Sequence, residues 1–150
     1  ALTNSSNRAV CDKALEQMCS ANCDFSLILI DLDDFKQIND MYGHVAGDKV
    51  IVKIVNTIKN GVRQEDIIAR WGGEEFIVIL PHTVRERAAE IAERIKEHIV
   101  MLEHDGIGRV TASFGVTAFI EGDDMKSIIN RVDQLLYIAK KQGKNKVFAG

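Results

Sequence analysis

The sequence is short of several things, and each shortage narrows what the chain can be. Proline occurs once, at Pro81, and no Ser/Gly-rich or low-complexity run interrupts the 150 residues. Nothing therefore marks an interdomain linker, and residues 1–150 read as one domain able to bury most of its apolar surface. No apolar stretch approaches the ~18 residues of a membrane span, and the first residues lack a signal-peptide core. No membrane contact by this domain is expected. Cysteine is limited to Cys11, Cys19 and Cys23, an odd number. These read as reduced, partly buried thiols of a cytoplasmic protein and not as a disulfide framework. Excess positive charge is missing too: the formal net charge is −3, which argues against broad nucleic-acid binding but not against a small phosphate ligand held by a few local cations.

What is present is strong secondary-structure patterning. Apolar residues at helical spacing predict a helix over residues 8–18, with Asn7 or Ser6 as its cap. The run Phe25 to Ile30 reads as a buried strand ending on Asp31-Leu32-Asp33-Asp34, acids that can present metal ligands at a sheet edge or merely end a strand. Residues 35–41 suit a short helix. The segment Gly43 to Asp48 leads into a second helix striped by Val50, Ile51, Ile54, Val55 and Ile58 and ended by Gly61. Thr83 with Glu86 predicts a capping box for a helix carrying Ile91, Ile95 and Ile99. A strand is expected over residues 109–120 with a break at Gly115. Asp123 or Asp124 should cap a last helix stopped by Gly143, and a short strand over 145–148 closes the chain. His82, His98 and His104 are expected at the surface.

The most telling stretch is residues 67–80. Two β-rich runs flank Gly72-Gly73, which predicts a hairpin whose glycines take the positive φ of a tight primed turn. Two acids, Glu74 and Glu75, come next, where strand propensity disfavours them. Neighbouring strand residues face opposite ways, so the two acids are expected to do different work. The bare glycine backbone leaves room for a ligand to approach closely.

Gly72-Gly73-Glu74-Glu75-Phe76 resembles the signature of the GGDEF family, the diguanylate cyclases. The resemblance extends to Leu2-Thr3 with Asn7-Arg8, to Asp31-Leu32-Asp33-x-Phe35-Lys36-x-Ile38-Asn39-Asp40, and to Tyr42-Gly43-His44-x-x-Gly47-Asp48. It continues through Ala69-Arg70, Ser113-x-Gly115, and Asp133 to Asn145. Two departures, Asn4-Ser5-Ser6 and Val132, touch no catalytic group. The resemblance implies an α+β fold, a five-stranded mixed and mostly antiparallel sheet flanked by helices, of the palm type shared with nucleotidyl cyclases. It also implies a catalytic domain cut from a longer protein with an N-terminal regulatory region, the parent being membrane-anchored in some cases.

The implied reaction condenses two GTP into cyclic di-GMP, using two magnesium ions, with manganese as a substitute. By resemblance the metal ligands are Asp31, the Leu32 carbonyl and Glu74, with Glu74 also the general base. Glu75 is expected to support the site through a hydrogen bond, and Lys36 to stabilise transition-state charge. Backbone groups at Phe35, Gly72 and Gly73, with Lys140 and Lys144, are expected at the triphosphate. Lys144 stands where arginine is usual and gives up a bidentate fork. Asn39 and Asp48 are the implied guanine readers, and a carboxylate at Asp48 would be left unpaired by adenine. His44 is expected to position that motif. Each protomer holding one GTP implies a homodimer. Arg63 and Asp66, with Arg94, match the family's product-inhibition site for cyclic di-GMP. The competing reading is a silent GTP- or cyclic di-GMP-binding signalling module; the presence of both signature acids favours the enzyme.

Overall fold

The computed structural model describes residues 8–150, so the expected helix cap at Ser6 or Asn7 and the motif at Leu2-Thr3 lie outside the described residues. The centre of the molecule is β1 (Phe25–Leu32), whose side chains are buried on both faces as far as Ile30. A strand of Leu and Ile without polar alternation has to lie between two layers, and it does. It pairs antiparallel with β3 (Glu75–Pro81) on one side and β4 (Ala112–Ala118) on the other. The edges are β2 (Ile67–Arg70), antiparallel to β3, and β5 (Val147–Ala149), parallel to β4, giving the order β2-β3-β1-β4-β5. The expected five-stranded mixed sheet is what the chain forms.

Side-chain parity sorts the core into two layers. Ile28, Ile30, Phe76, Val78, Phe114 and Val116 pack with α3 (His44–Asn60) and α4 (Arg85–Met101), with Phe35 and Ile38 of α2 (Phe35–Tyr42) joining them. Leu27, Leu29, Ile77 and Ile79 pack on the other face with α1 (Arg8–Ser20) and α5 (Met125–Lys141).

Several local expectations are corrected. The central strand continues through Asp31 and Leu32 because Asp31 keeps ladder partners on both sides and Leu32 keeps one in β4. Helix α3 begins already at His44, so His44 and Asp48 are helical. No break occurs at Gly115. A Cβ there would lie 2.5 Å from the Val132 carbonyl and 2.7 Å from the Leu136 N, so glycine is needed for α5 to lie close on β4. The Thr83 capping box does not form. The Thr83 hydroxyl donates to the Pro81 carbonyl, and α4 is capped at Val84 without a side-chain bond. His104 is buried and lies in a bridge with Gly108; burial first, then Lys53, pushes its pKa down.

The capping box at α5 is real, and it belongs to Asp124 with Ser127. Asp123 instead takes the Arg131 guanidinium at 2.6 and 3.1 Å, and its carboxyl falls from 3.8 to about 2, chiefly through that hydrogen bond. A lowered carboxylate pKa stabilises the fold above the unfolded value and loses that effect as pH falls through the folded value. Asp123→Asn should therefore cost about 2 kcal/mol at neutral pH. Urea unfolding at a series of pH values should show the gap closing between pH 3.8 and about 2.

Candidate functional site

Asp31 and Glu75 are ladder partners at the end of the β1–β3 pair, so both side chains lie on the face covered by α5. From the last turns of that helix Lys140 reaches Asp31 at 2.8 Å and Asp33 at 3.9 Å. One Asp31 oxygen, Oδ1, is buried and has no hydrogen-bond partner. Burial raises the Asp31 pKa most; Lys140 opposes this, and Glu74 and Asp33 add to it. Glu75 is also raised, first by burial and then by Asp31, Asp133 and Glu74. Several carboxylates thus crowd one lysine.

Glu74 lies in the turn and not in the strand, so the alternation of strand side chains does not separate it from Glu75. Its carbonyl accepts the Leu32 N–H at 3.1 Å, which ties the turn to the strand bearing Asp31. Neither Gly72 nor Gly73 takes a positive φ. The primed two-residue turn is replaced by a longer loop, in which the Trp71 and Gly72 N–H groups both donate to the Glu75 carbonyl, at 2.7 and 3.3 Å. Glycine at position 72 matters for another reason: a Cβ there would stand 3.0 Å from Glu75 Oε1, while Gly73 faces open space. The Glu75 side chain makes no hydrogen bond among the described residues, so the supporting bond expected of it is not seen.

Arg70 holds this loop, its guanidinium donating to the carbonyls of Gly72 at 3.3 Å and Gly73 at 2.5 Å. The sequence pattern gives Arg70 no role of its own, and only its place beside the glycine pair could suggest one. Asp33, which the sequence offers only as one of the acids ending the first strand, has a structural part. It is buried, accepts from Thr111 at 2.6 Å, Ser113 at 2.7 Å and the Asn145 N–H at 3.0 Å, and so joins three separate segments.

Among the described residues no three His, Cys, Asp or Glu side chains close around a point as a metal cage. The unpartnered Asp31 oxygen, the Leu32 carbonyl and Glu74 are hard oxygen donors, a set that fits a cation taking one or two carboxylates and completing its shell with phosphates and water.

Of the lysines expected at the phosphates, Lys140 and Lys144 each pair with an acid near the end of β1. Lys144 pairs with Asp34 at 2.6 Å, and Lys36 is exposed on the first turn of α2 above buried Phe35. Asp34, Lys144 and Asn145 all adopt left-handed backbone, with φ of 57, 63 and 50°. Asn39 Oδ1 is buried without a partner, and a side chain at Gly47 would collide with it. That bare glycine lets α2 and α3 come together at Asn39, with Asp48 the next residue of α3. His44, the first residue of α3, is exposed.

Arg63, Asp66 and Arg94 do come together, lining a cavity of about 380 Å³ with Arg87 and His82. The Asp66 carboxylate is buried, accepting the Arg63 N–H at 2.7 Å. The Arg63 guanidinium reaches the Pro81 carbonyl at 2.9 Å, and Arg94 donates to the Gly61 carbonyl at 3.2 Å. Arg87 is an addition that the sequence does not announce; it lies one turn before Ile91 on α4, at a position without a motif of its own.

Comparison with known proteins points one way. A family model described as "Diguanylate cyclase, GGDEF domain" matches residues 1–146. Diguanylate cyclase DgcM of Escherichia coli is 41% identical over 126 residues, covering 84% of this chain and 31% of that protein. VdcA of Vibrio cholerae is 40% identical over 147 residues, covering 94% of this chain and 43% of its own length. The chain thus spans less than half of these curated relatives. Among solved structures, diguanylate cyclase SiaD of Pseudomonas aeruginosa in complex with its activator SiaC superposes with a TM-score of 0.93 at 33% identity, covering 99% of this chain and 60% of that one. The GGDEF domain of DgcB from Caulobacter crescentus, in complex with cyclic di-GMP, gives 0.92 at 32% identity, with 99% and 90% covered.

The crowding of acids has a measurable cost. Like charges directly opposite on paired strands are destabilising, so Glu75→Gln should raise stability at neutral pH by up to about 1 kcal/mol. A raised carboxylate pKa makes the charged form the costly one. The advantage of the variant should therefore shrink as pH falls and be gone below the ordinary value of 4.5, where Glu75 is protonated in both folded and unfolded chains. Thermal unfolding without added metal, at pH 7 and pH 4, reads this directly.

Proposed function

Because the chain belongs to the GGDEF family, we propose that it is the catalytic domain of a diguanylate cyclase, joining two GTP into cyclic di-GMP with release of two pyrophosphates. The observation that carries this reading is the buried, unpartnered Oδ1 of Asp31 at the point where Glu74 and Glu75 converge. Such an oxygen, desolvated and crowded by like charge, has much to gain from a divalent cation and little from water.

In each half-reaction the 3′-hydroxyl of one GTP attacks the α-phosphate of the other, and pyrophosphate leaves. Asp31, the Leu32 carbonyl and Glu74 would hold the metal. When bound, two magnesium ions, or manganese in their place, neutralise the triphosphate and stabilise attacking and leaving oxygens. Glu74 takes the proton from the 3′-hydroxyl. Lys140 and Lys144 exchange their carboxylate partners, Asp31 and Asp34, for phosphate oxygens. Lys36 and the backbone around Phe35, Gly72 and Gly73 add charge and N–H donors at the phosphates. Asp48 accepts from the guanine N1–H and N2–H groups and Asn39 hydrogen-bonds the same edge from α2, with His44 at the start of α3 positioning Asp48. One such cleft holds one GTP, so two protomers must face each other.

The Arg63 cavity is the proposed product site. Arg63 and Arg94 supply cations to a phosphate or to the guanine O6/N7 edge, and Asp66 accepts from guanine N–H groups. Support comes from the DgcB GGDEF domain, a relative solved with cyclic di-GMP.

Incubating GTP and magnesium with the protein over a range of concentrations, with chromatography for cyclic di-GMP, tests the main reading. Specific activity should rise with protein concentration. Glu74→Gln should fold normally yet lose at least about 100-fold in turnover, since an amide is a poor cation ligand and a poor base. Wild-type turnover in that variant would remove Glu74 from the mechanism.

Arg63→Ala should weaken cyclic di-GMP binding by about 1.5–3 kcal/mol, the range of a charge-assisted hydrogen bond. Calorimetric titration of both proteins measures it, and equal affinities would reduce Arg63 to a turn residue.

A further inference from the structure

Resting on the cyclase reading, we infer that Arg8, at the start of α1, is a positioning residue for the turn that carries Glu74. Its guanidinium carbon lies 3.9 Å from the centroid of the Trp71 ring, and its Nη1 donates to the Trp71 carbonyl at 3.2 Å. The same group thus grips both the side chain and the backbone of the residue that opens the turn. Trp71 is itself packed against the apolar layer that α1 and α5 cover.

The grip matters because the catalytic turn begins at the very next residue. Arg8 holds the carbonyl of Trp71, and Arg70 holds those of Gly72 and Gly73. Three successive carbonyls are therefore fixed by guanidinium donors. In a planar trans peptide the N–H points opposite to the preceding C=O. Fixing these carbonyls also fixes the N–H directions of Gly72, Gly73 and Glu74. The first donates to the Glu75 carbonyl, and the other two make no backbone hydrogen bond among the described residues. Two adjacent glycines have the greatest backbone freedom of any pair, so this order must be imposed from outside. Arg70 belongs to the hairpin and moves with it. Arg8 belongs to another element, and it ties the catalytic turn to the first turn of α1.

An exposed cation–π pair that only glues helix to hairpin would affect stability and nothing else. A positioning role predicts a split between kinetic constants, because misplacing a reacting group by about 1 Å costs rate more than ground-state binding. The chain contains one tryptophan, so emission from Trp71 reports the turn without labelling.

The experiment compares the whole chain with Arg8→Ala, Arg8→Lys, Trp71→Ala and the Arg8→Ala/Trp71→Ala double variant. Arg8→Ala should lower kcat about tenfold while KM for GTP stays within about twofold. It should also shift Trp71 emission to the red and increase its quenching by acrylamide. Arg8→Lys keeps a cation over the ring and should recover part of both effects. In the Trp71→Ala background, Arg8→Ala should cost less than in the wild type, because only the hydrogen bond to the residue 71 carbonyl is left to lose. Unchanged kcat, unchanged emission, or fully additive losses would each overturn the inference. A wild-type chain making no cyclic di-GMP would sink the cyclase reading instead, and the emission of Trp71 would still decide whether Arg8 sets the turn.

Discussion

The structure depends on one electrostatic constraint: carboxylates are held together where water does not reach all of them. β1 is the central strand, apolar on both faces, and it ends by placing Asp31 opposite Glu75. Around that pair, among the described residues, the close cation is Lys140 from α5. The position of that lysine is in turn a packing matter. Gly115 lets α5 lie against β4, and the helix then runs out beside the end of β1. A methyl group at Gly115 would shift the helix and the lysine together. Core and site are therefore not separable in this fold.

The two candidate ligand regions lie at opposite ends of the same strand pair. Asp31 faces Glu75 at one end of the β1–β3 ladder, and Phe25 faces Pro81 at the other. Arg63 bonds to the Pro81 carbonyl, so its cavity belongs to the far end. The length of the ladder, about 20 Å of antiparallel strand, separates the two. A ligand held by Arg63 cannot touch Asp31 or Glu74 of its own chain. Any influence of such a ligand on the proposed reaction has to act through the placement of whole domains.

Much of this was legible in the sequence. The apolar runs and helical stripes located the helices and strands, and the acids at the end of the first strand and after Gly73 marked the site. What failed was local and has physical causes. The glycine pair suggested positive φ, yet Arg70 holds the loop by its carbonyls and makes a wider turn sufficient. Thr83 beside Glu86 has the spacing of a capping box, yet its hydroxyl is engaged by Pro81 and Arg63. His104 looked polar enough for the surface but closes a small bridge in a buried loop. Asp33 and Arg8 act through partners 80 and 63 positions away, and no short-range pattern encodes such pairings.

The left-handed residues around the lysine loop carry a consequence of their own. Asp34, Lys144 and Asn145 lack glycine's freedom, and each stands in a conformation that costs on the order of 1 kcal/mol or more. Three contacts hold them: Lys144 on Asp34, the Lys144 N–H on the Ala139 carbonyl and the Asn145 N–H on Asp33. The loop is in effect a spring with several catches, and one of them is an exposed ion pair that a stronger anion can open. The resting protein thus keeps this cation in reach without committing it, and the segment after α5 should be among the first parts of the sheet edge to exchange its amide hydrogens with solvent.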